Sequence, residues 1–147
     1  MIDELANIAK QVLVSMNIQV SGVRLSKDSL HLVNSPLCVV IGLVNKKGEE
    51  KGILGFEFSE AFAKYALNCL MPGYNVDMLS EIGLSALLEL ANMTCGNMLT
   101  RISPDAVTTP PTAVFGKNAK MLLNTAPCYR MIFDTPSSSL VVSLSVT

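Results

Sequence analysis

Ser80-Glu81-Ile82-Gly83-Leu84-Ser85-Ala86-Leu87-Leu88-Glu89-Leu90-Ala91-Asn92-Met93-Thr94-Cys95-Gly96-Asn97 is the stretch on which the fold turns. At helical spacing it is apolar on most sides. One narrow polar line interrupts it, through Glu81, Ser85, Glu89, Asn92 and Gly96, in steps of four, four, three and four. Residues three and four apart share a helix face. Ser85, Glu89 and Asn92 therefore point one way from a helix that otherwise reads as buried. A carboxylate and an amide kept on the single exposed seam of a core helix make a candidate working surface.

The flanking sequence sets this helix in an α+β domain. Its predicted span is 76–102, with Asp77 as the cap and Ser103-Pro104-Asp105 as the break. Upstream, residues 2–17 carry Ile2, Leu5, Ala9, Val12 and Met16 on one helical face and Glu4, Asn7, Gln11 and Ser15 on the other. A short strand is expected at 29–33, then a hairpin of 37–45 with 52–58 around Lys46-Lys47-Gly48-Glu49-Glu50. Ser59 caps a helix that Met71-Pro72-Gly73 stops near Leu70. Downstream, Thr108-Thr109-Pro110-Pro111-Thr112-Ala113-Val114 is β-like, and its prolines confine it to a sheet edge or a strand entry. Residues 128–134 and 140–146 close the chain as a last hairpin. The run of antiparallel hairpins lacks the alternating crossovers of a parallel sheet. The expected fold is an antiparallel or mixed sheet packed against a long central helix and an N-terminal helix, in one domain over 1–147.

Composition narrows the function. The 147 residues are 50% hydrophobic and 16% charged with net charge −1, and the mean hydropathy is +0.42. This apolar surplus suggests a large core and a homodimer interface. The longest apolar runs, such as 37–44, fall far short of the roughly 20 residues of a membrane span. Asp3 and Glu4 stand where a secretory signal has its basic region, so a cytoplasmic protein is expected. The only basic clusters are Lys46–Lys47 and Lys117/Lys120, which disfavours nucleic-acid binding. Cys38, Cys69, Cys95 and Cys128 form no CxxC pair and sit among apolar neighbours, so they read as core cysteines. The single histidine, His31, reads as the outward residue of a strand, which argues against a metal site. No phosphate loop or nucleophile elbow occurs. Carboxylates and amides are left to do the chemistry.

The long-helix sequence resembles the CheX branch of the CheC/FliY/CheX family of chemotaxis phosphatases. That family carries Asp or Ser, then Glu four residues on, then Asn three later, with a Pro further along. Ser85, Glu89 and Asn92 occupy those positions here, followed by Pro110 and Pro111. Asn92 and Pro110 are separated by residues 93–109, a shorter gap than in two-site relatives. Glu4-Leu5-Ala6-Asn7 repeats Glu89-Leu90-Ala91-Asn92, but the chain begins too late to supply the preceding Ser or Asp. Glu4 and Asn7 are thus a possible second site, better read as the solvent face of an amphipathic helix.

The resemblance implies a substrate, the aspartyl phosphate of a phosphorylated response-regulator receiver domain. Such an acyl phosphate is already activated, so a well-placed water suffices for its hydrolysis. A carboxamide oxygen accepts from that water while its nitrogen donates elsewhere. Asn92 becomes the water-positioning residue and Glu89 the carboxylate that docks the receiver lysine. Ser85 is a peripheral docking group, and Pro110 or Pro111 a structural wall. No intrinsic cofactor is implied; Mg²⁺ comes with the receiver. The other reading is a non-catalytic module that binds a receiver domain or flagellar component without turnover.

Overall fold

Two capping residues compete at the start of the long helix, and Ser80 wins over Asp77. Ser80 Oγ accepts from Gly83 N at 3.1 Å, and Leu84 N donates to Ser80 O at 2.8 Å. Helix α3 therefore spans Glu81–Ile102, three residues shorter at its start than the Asp77 cap predicted. Asp77 instead forms the turn before it: Leu79 N donates to Asp77 Oδ1, and Ser80 Oγ to Asp77 O. Gly83 seals the arrangement. A Cβ on Gly83 would lie 2.0 Å from Asp77 O, closer than any side chain permits, so only glycine lets the turn fold back on the helix.

The structure is a computed structural model that describes residues 2–28, 31–102, 105–116, 121–123 and 128–146. Helix α1 is Ile2–Ser15. It ends two residues before the prediction because Asn17 adopts φ 66°, while Ile18 N and Asn17 N donate to Leu13 O and Val14 O. Asparagine tolerates this left-handed stop, and Ile18 packs fully buried after it. Next come β1 (Gly22–Asp28), β2 (His31–Val33), β3 (Leu37–Asn45) and β4 (Glu50–Phe58). Helix α2 spans Glu60–Leu70, capped by Ser59 Oγ on Phe62 N as expected. After α3 follow β5 (Ala106–Thr108), β6 (Thr112–Phe115), β7 (Met121–Leu123), β8 (Cys128–Asp134) and β9 (Ser139–Val146).

The main sheet runs β1-β8-β9-β4-β3, with β5 and β6 both on the outer edge of β3, and every pair is antiparallel. The two hairpins, β3–β4 and β8–β9, are those the sequence predicted. The proline segment is the predicted edge, broken between β5 and β6. Thr109 bridges the break by exchanging bonds with Gly42: Gly42 N donates to Thr109 Oγ1, and Thr109 N to Gly42 O, each at 2.9 Å. Strand β1 corrects the sequence reading, which placed its first strand at 29–33. The 29–33 strand survives only as β2, paired with β7 in a separate two-stranded sheet. Ser29 and Leu30 lie outside the described residues, as do Ser103, Pro104, Lys117 and Lys120.

Alternate residues on four strands face the helices, as the two-residue period of a strand requires. Leu37, Val39, Ile41 and Leu43 on β3 are buried, with Leu54, Phe56 and Phe58 on β4. Met131 and Phe133 on β8 join Leu140, Val142 and Leu144 on β9. They form one core with Leu5, Ala9 and Leu13 of α1, Phe62, Ala66 and Leu67 of α2, and Leu87, Leu90, Cys95 and Met98 of α3. Helix α3 touches α1, α2, β3 and β5, which is why its sequence is apolar on most sides. Thr94, buried on it, donates to Leu90 O at 2.8 Å. Cys38, Cys95 and Cys128 are buried and Cys69 half-buried. Burial pushes the Cys38 and Cys95 thiols up to about 12, so both are packing groups rather than nucleophiles.

Candidate functional site

With α1, α2 and the sheet covering α3, one strip of that helix remains in solvent. Glu81, Ser85, Glu89, Asn92 and Gly96 are all exposed along it, so the predicted polar line is the free face of the helix. Among the described residues, the side chains of Ser85, Glu89 and Asn92 take part in no hydrogen bond or ion pair. The fold therefore leaves a carboxylate and a carboxamide, one turn apart, with their polar atoms open to an incoming molecule. Such side chains contribute little to folding, since surface positions without partners change stability by only about 0.5 kcal/mol.

A groove of about 570 Å³ runs beside this line, bounded by Met71, Glu81, Ile82, Ser85, Ala86 and Glu89. Its wall carries two carboxylates and no cationic side chain, which suits a partner presenting a lysine. Its apolar members escaped the sequence reading, which took methionines as core filler. Ile82 is 63% exposed and Met93 42%, flanking the polar line on the same helix. Their proximity to Glu81 and Asn92 in sequence was the available signal. Exposed apolar side chains beside polar ones are a composition that suits a protein-binding patch. Pro110 and Pro111 do not line the groove; they interrupt the edge strand between β5 and β6. A second cleft, of about 470 Å³, includes Glu60, Lys64 and Asp77 in its wall and none of the predicted site residues.

The internal echo has a structural counterpart. In α1, Leu5 and Ala6 are buried while Glu4 and Asn7 are exposed; in α3, Leu90 and Ala91 are buried while Glu89 and Asn92 are exposed. The two tetrapeptides present the same face on two helices packed against each other.

The fold is thus an antiparallel sheet backed by helices, with an exposed Glu-x-x-Asn face on the longest of them. The model of the chemotaxis phosphatase CheX family matches residues 40–134, and the chain belongs to that family. Over 88 residues it is 35% identical to the CheY-P phosphatase CheX of Thermotoga maritima. That match covers 58% of this chain, and the chain spans only 55% of the relative's length. Two solved structures share the fold at low identity. A putative chemotaxis protein from Desulfovibrio vulgaris Hildenborough has a TM-score of 0.83 at 17% identity, covering 97% of this chain and 94% of that one. A chain of the CheX–CheY–BeF3–Mg²⁺ complex of Borrelia burgdorferi has a TM-score of 0.68 at 17% identity, covering 99% and 96%. Among the described residues, no helix is long and apolar enough to cross a membrane.

Proposed function

We propose that this chain hydrolyses the aspartyl phosphate of a CheY-like receiver domain, with Asn92 positioning the attacking water and Glu89 docking the receiver lysine. The observation that carries this reading is the pair itself: Glu89 and Asn92, exposed and without partners on the free face of a helix whose opposite face packs into the core, in a CheX family chain. The relative's name, a CheY-P phosphatase, supports the activity. The Borrelia complex supports the partner, since it joins CheX to CheY carrying beryllofluoride, a phosphoryl mimic, and Mg²⁺.

The chemistry asks little of the phosphatase. The scissile P–O bond joins phosphorus to a good carboxylate leaving group, so what is missing is a water held in line with it. The Asn92 carboxamide is neutral, so it approaches the phosphoryl oxygens without repulsion and its oxygen orients the water. Mg²⁺ arrives with the receiver and neutralises the phosphoryl oxygens. Glu89, three residues before Asn92, pairs with the receiver lysine and fixes the angle of approach. Ser85 and the Ile82 groove wall add peripheral contact. Glu4 and Asn7 serve as the solvent face of α1 rather than as a second site. The reading takes residues 1–147 as one domain working in the cytoplasm.

Phosphate release from a panel of phosphorylated receiver domains tests the assignment. At least one should lose its phosphoryl group faster than its intrinsic decay. A receiver that binds yet decays at its intrinsic rate would establish the non-catalytic binding module instead. Glu89→Ala should raise the KM for the receiver about tenfold, the equivalent of about 1.4 kcal/mol, with kcat reduced far less. That difference should shrink as salt is added, because the lost contact is between charges. A KM unchanged at low salt removes Glu89 from docking.

We also propose a homodimer through the outer edge of β1, which pairs only with β8 among the described residues and exposes Leu25 to 40%. Light scattering at micromolar concentration should give twice 15.8 kDa; the monomer mass overturns it.

A further inference from the structure

Gly96 stands in the exposed middle of α3, one turn beyond Asn92, where the fold gives no reason for a glycine. Apart from proline, glycine is the least favourable residue in a helix interior. At Gly83 and Gly52 its presence is explained by contact, and at Gly48 and Gly73 by a left-handed backbone. A Cβ on Gly83 would strike Asp77 O at 2.0 Å, and one on Gly52 would strike Ser145 O at 2.4 Å. A Cβ on Gly96 meets nothing within 4 Å. The helix is also regular there, so no left-handed backbone conformation demands glycine.

Side chains on a helix lean toward its N-terminus, so a residue at i+4 overhangs the residue at i. Position 96 is therefore the one from which a side chain would lean over Asn92. The adjacent Asn97 is also drawn in, its Nδ2 donating to Met93 O at 2.7 Å. The echo on α1 supplies an internal comparison. Glu4 and Asn7 are exposed as Glu89 and Asn92 are, yet the residue four beyond Asn7 is Gln11, exposed and long enough to overhang it. The α1 copy has the polar pair without the clearing, and the α3 copy has both.

We propose that the bare surface at Gly96 is the seat for the partner segment that bears the phosphorylated aspartate, and that this clearing separates the working Glu-x-x-Asn helix from its echo. The proposal rests on the receiver-phosphatase reading and adds a specificity-determining position to it. Gly96 touches no reacting atom. It acts by leaving room, so filling the space should impair docking in proportion to the size of the side chain.

The test compares Gly96→Ala and Gly96→Gln with wild type and Asn92→Ala. Melting temperature, affinity for a beryllofluoride–Mg²⁺ receiver and steady-state dephosphorylation are measured for each. Gly96→Ala should melt about 3 °C higher than wild type, because alanine favours the helix and meets no neighbour. Gly96→Gln, which copies α1, should fold normally yet weaken receiver affinity and kcat/KM about 100-fold, with alanine intermediate. Asn92→Ala should show the opposite split, binding like wild type and failing in kcat. A Gly96→Gln variant that folds, binds and turns over within threefold of wild type overturns the proposal. So does a Gly96→Ala variant that melts below wild type, since glycine would then serve the fold. Failure of the underlying reading is visible separately: wild type itself would neither bind nor dephosphorylate any receiver, and both proposals would fall together.

Discussion

Asn92→Ala should leave the protein folded and remove stimulated dephosphorylation, lowering kcat by 100-fold or more. The fold is spared because Asn92 is exposed and its side chain holds no partner among the described residues. Alanine is also the best helix former, so α3 gains rather than loses by the change. The chemistry is not spared. Removing a single preorganised hydrogen-bonding group from a reacting centre costs about 10²–10³ in rate, and here that group holds the nucleophilic water in line. Receiver affinity should change little, because Glu89 and the apolar groove wall remain. Loss in kcat with KM retained marks an interaction made in the transition state. Asn92→Asp should be equally inactive despite its near-identical shape, since a carboxylate repels the phosphoryl oxygens. Single-turnover phosphate release, with circular dichroism as the folding control, decides the matter. An Asn92→Ala variant within threefold of wild type would sink the assignment.

How much of this site the sequence revealed follows from the physics of each element. The α3 line was legible because helical spacing is local: Ser85, Glu89 and Asn92 share a face whatever surrounds them. Which other parts of α3 stay uncovered is a tertiary matter. Apart from its place beside Glu81, nothing in the sequence separates Ile82, 63% exposed, from the fully buried Leu87, because the difference lies in where the other elements pack. The helix start went astray for a similar reason. Asp77 and Ser80 are equally good caps on paper, and the choice is made by the fold-back of the 77–80 turn onto Gly83. The proline segment was read correctly as an edge because proline's missing N–H is a local fact. Strand β1, by contrast, carries Arg24, Ser26, Lys27 and Asp28 among only two aliphatic side chains, Val23 and Leu25. It is a strand because β8 offers seven partner positions, with the Arg24 guanidinium further clasping the Asp134 carboxylate at 2.8 Å.

Phe62→Ala should have the complementary effect, a large loss of stability with the chemistry retained. Phe62 is fully buried on the first turn of α2, its N–H donating to the Ser59 cap. Its ring lies 5.9 Å from that of Phe58, the last residue of β4, at an interplanar angle of 30°. This pair pins the start of α2 to the sheet just where the chain leaves β4. Truncation of a buried phenylalanine costs about 3–5 kcal/mol through lost burial and the cavity left behind, a large share of the 5–15 kcal/mol that holds a domain folded. At this chain length the melting temperature should fall by about 10 °C or more. Well below the lowered transition, kcat should stay near wild type, since Glu89 and Asn92 are placed by α3 itself. A modest rise in KM is expected, because Met71, just past the end of α2, forms part of the groove wall. An unchanged melting temperature contradicts the buried Phe58–Phe62 pair. Loss of kcat in protein still folded would show instead that α2, and not α3 alone, holds the reacting geometry.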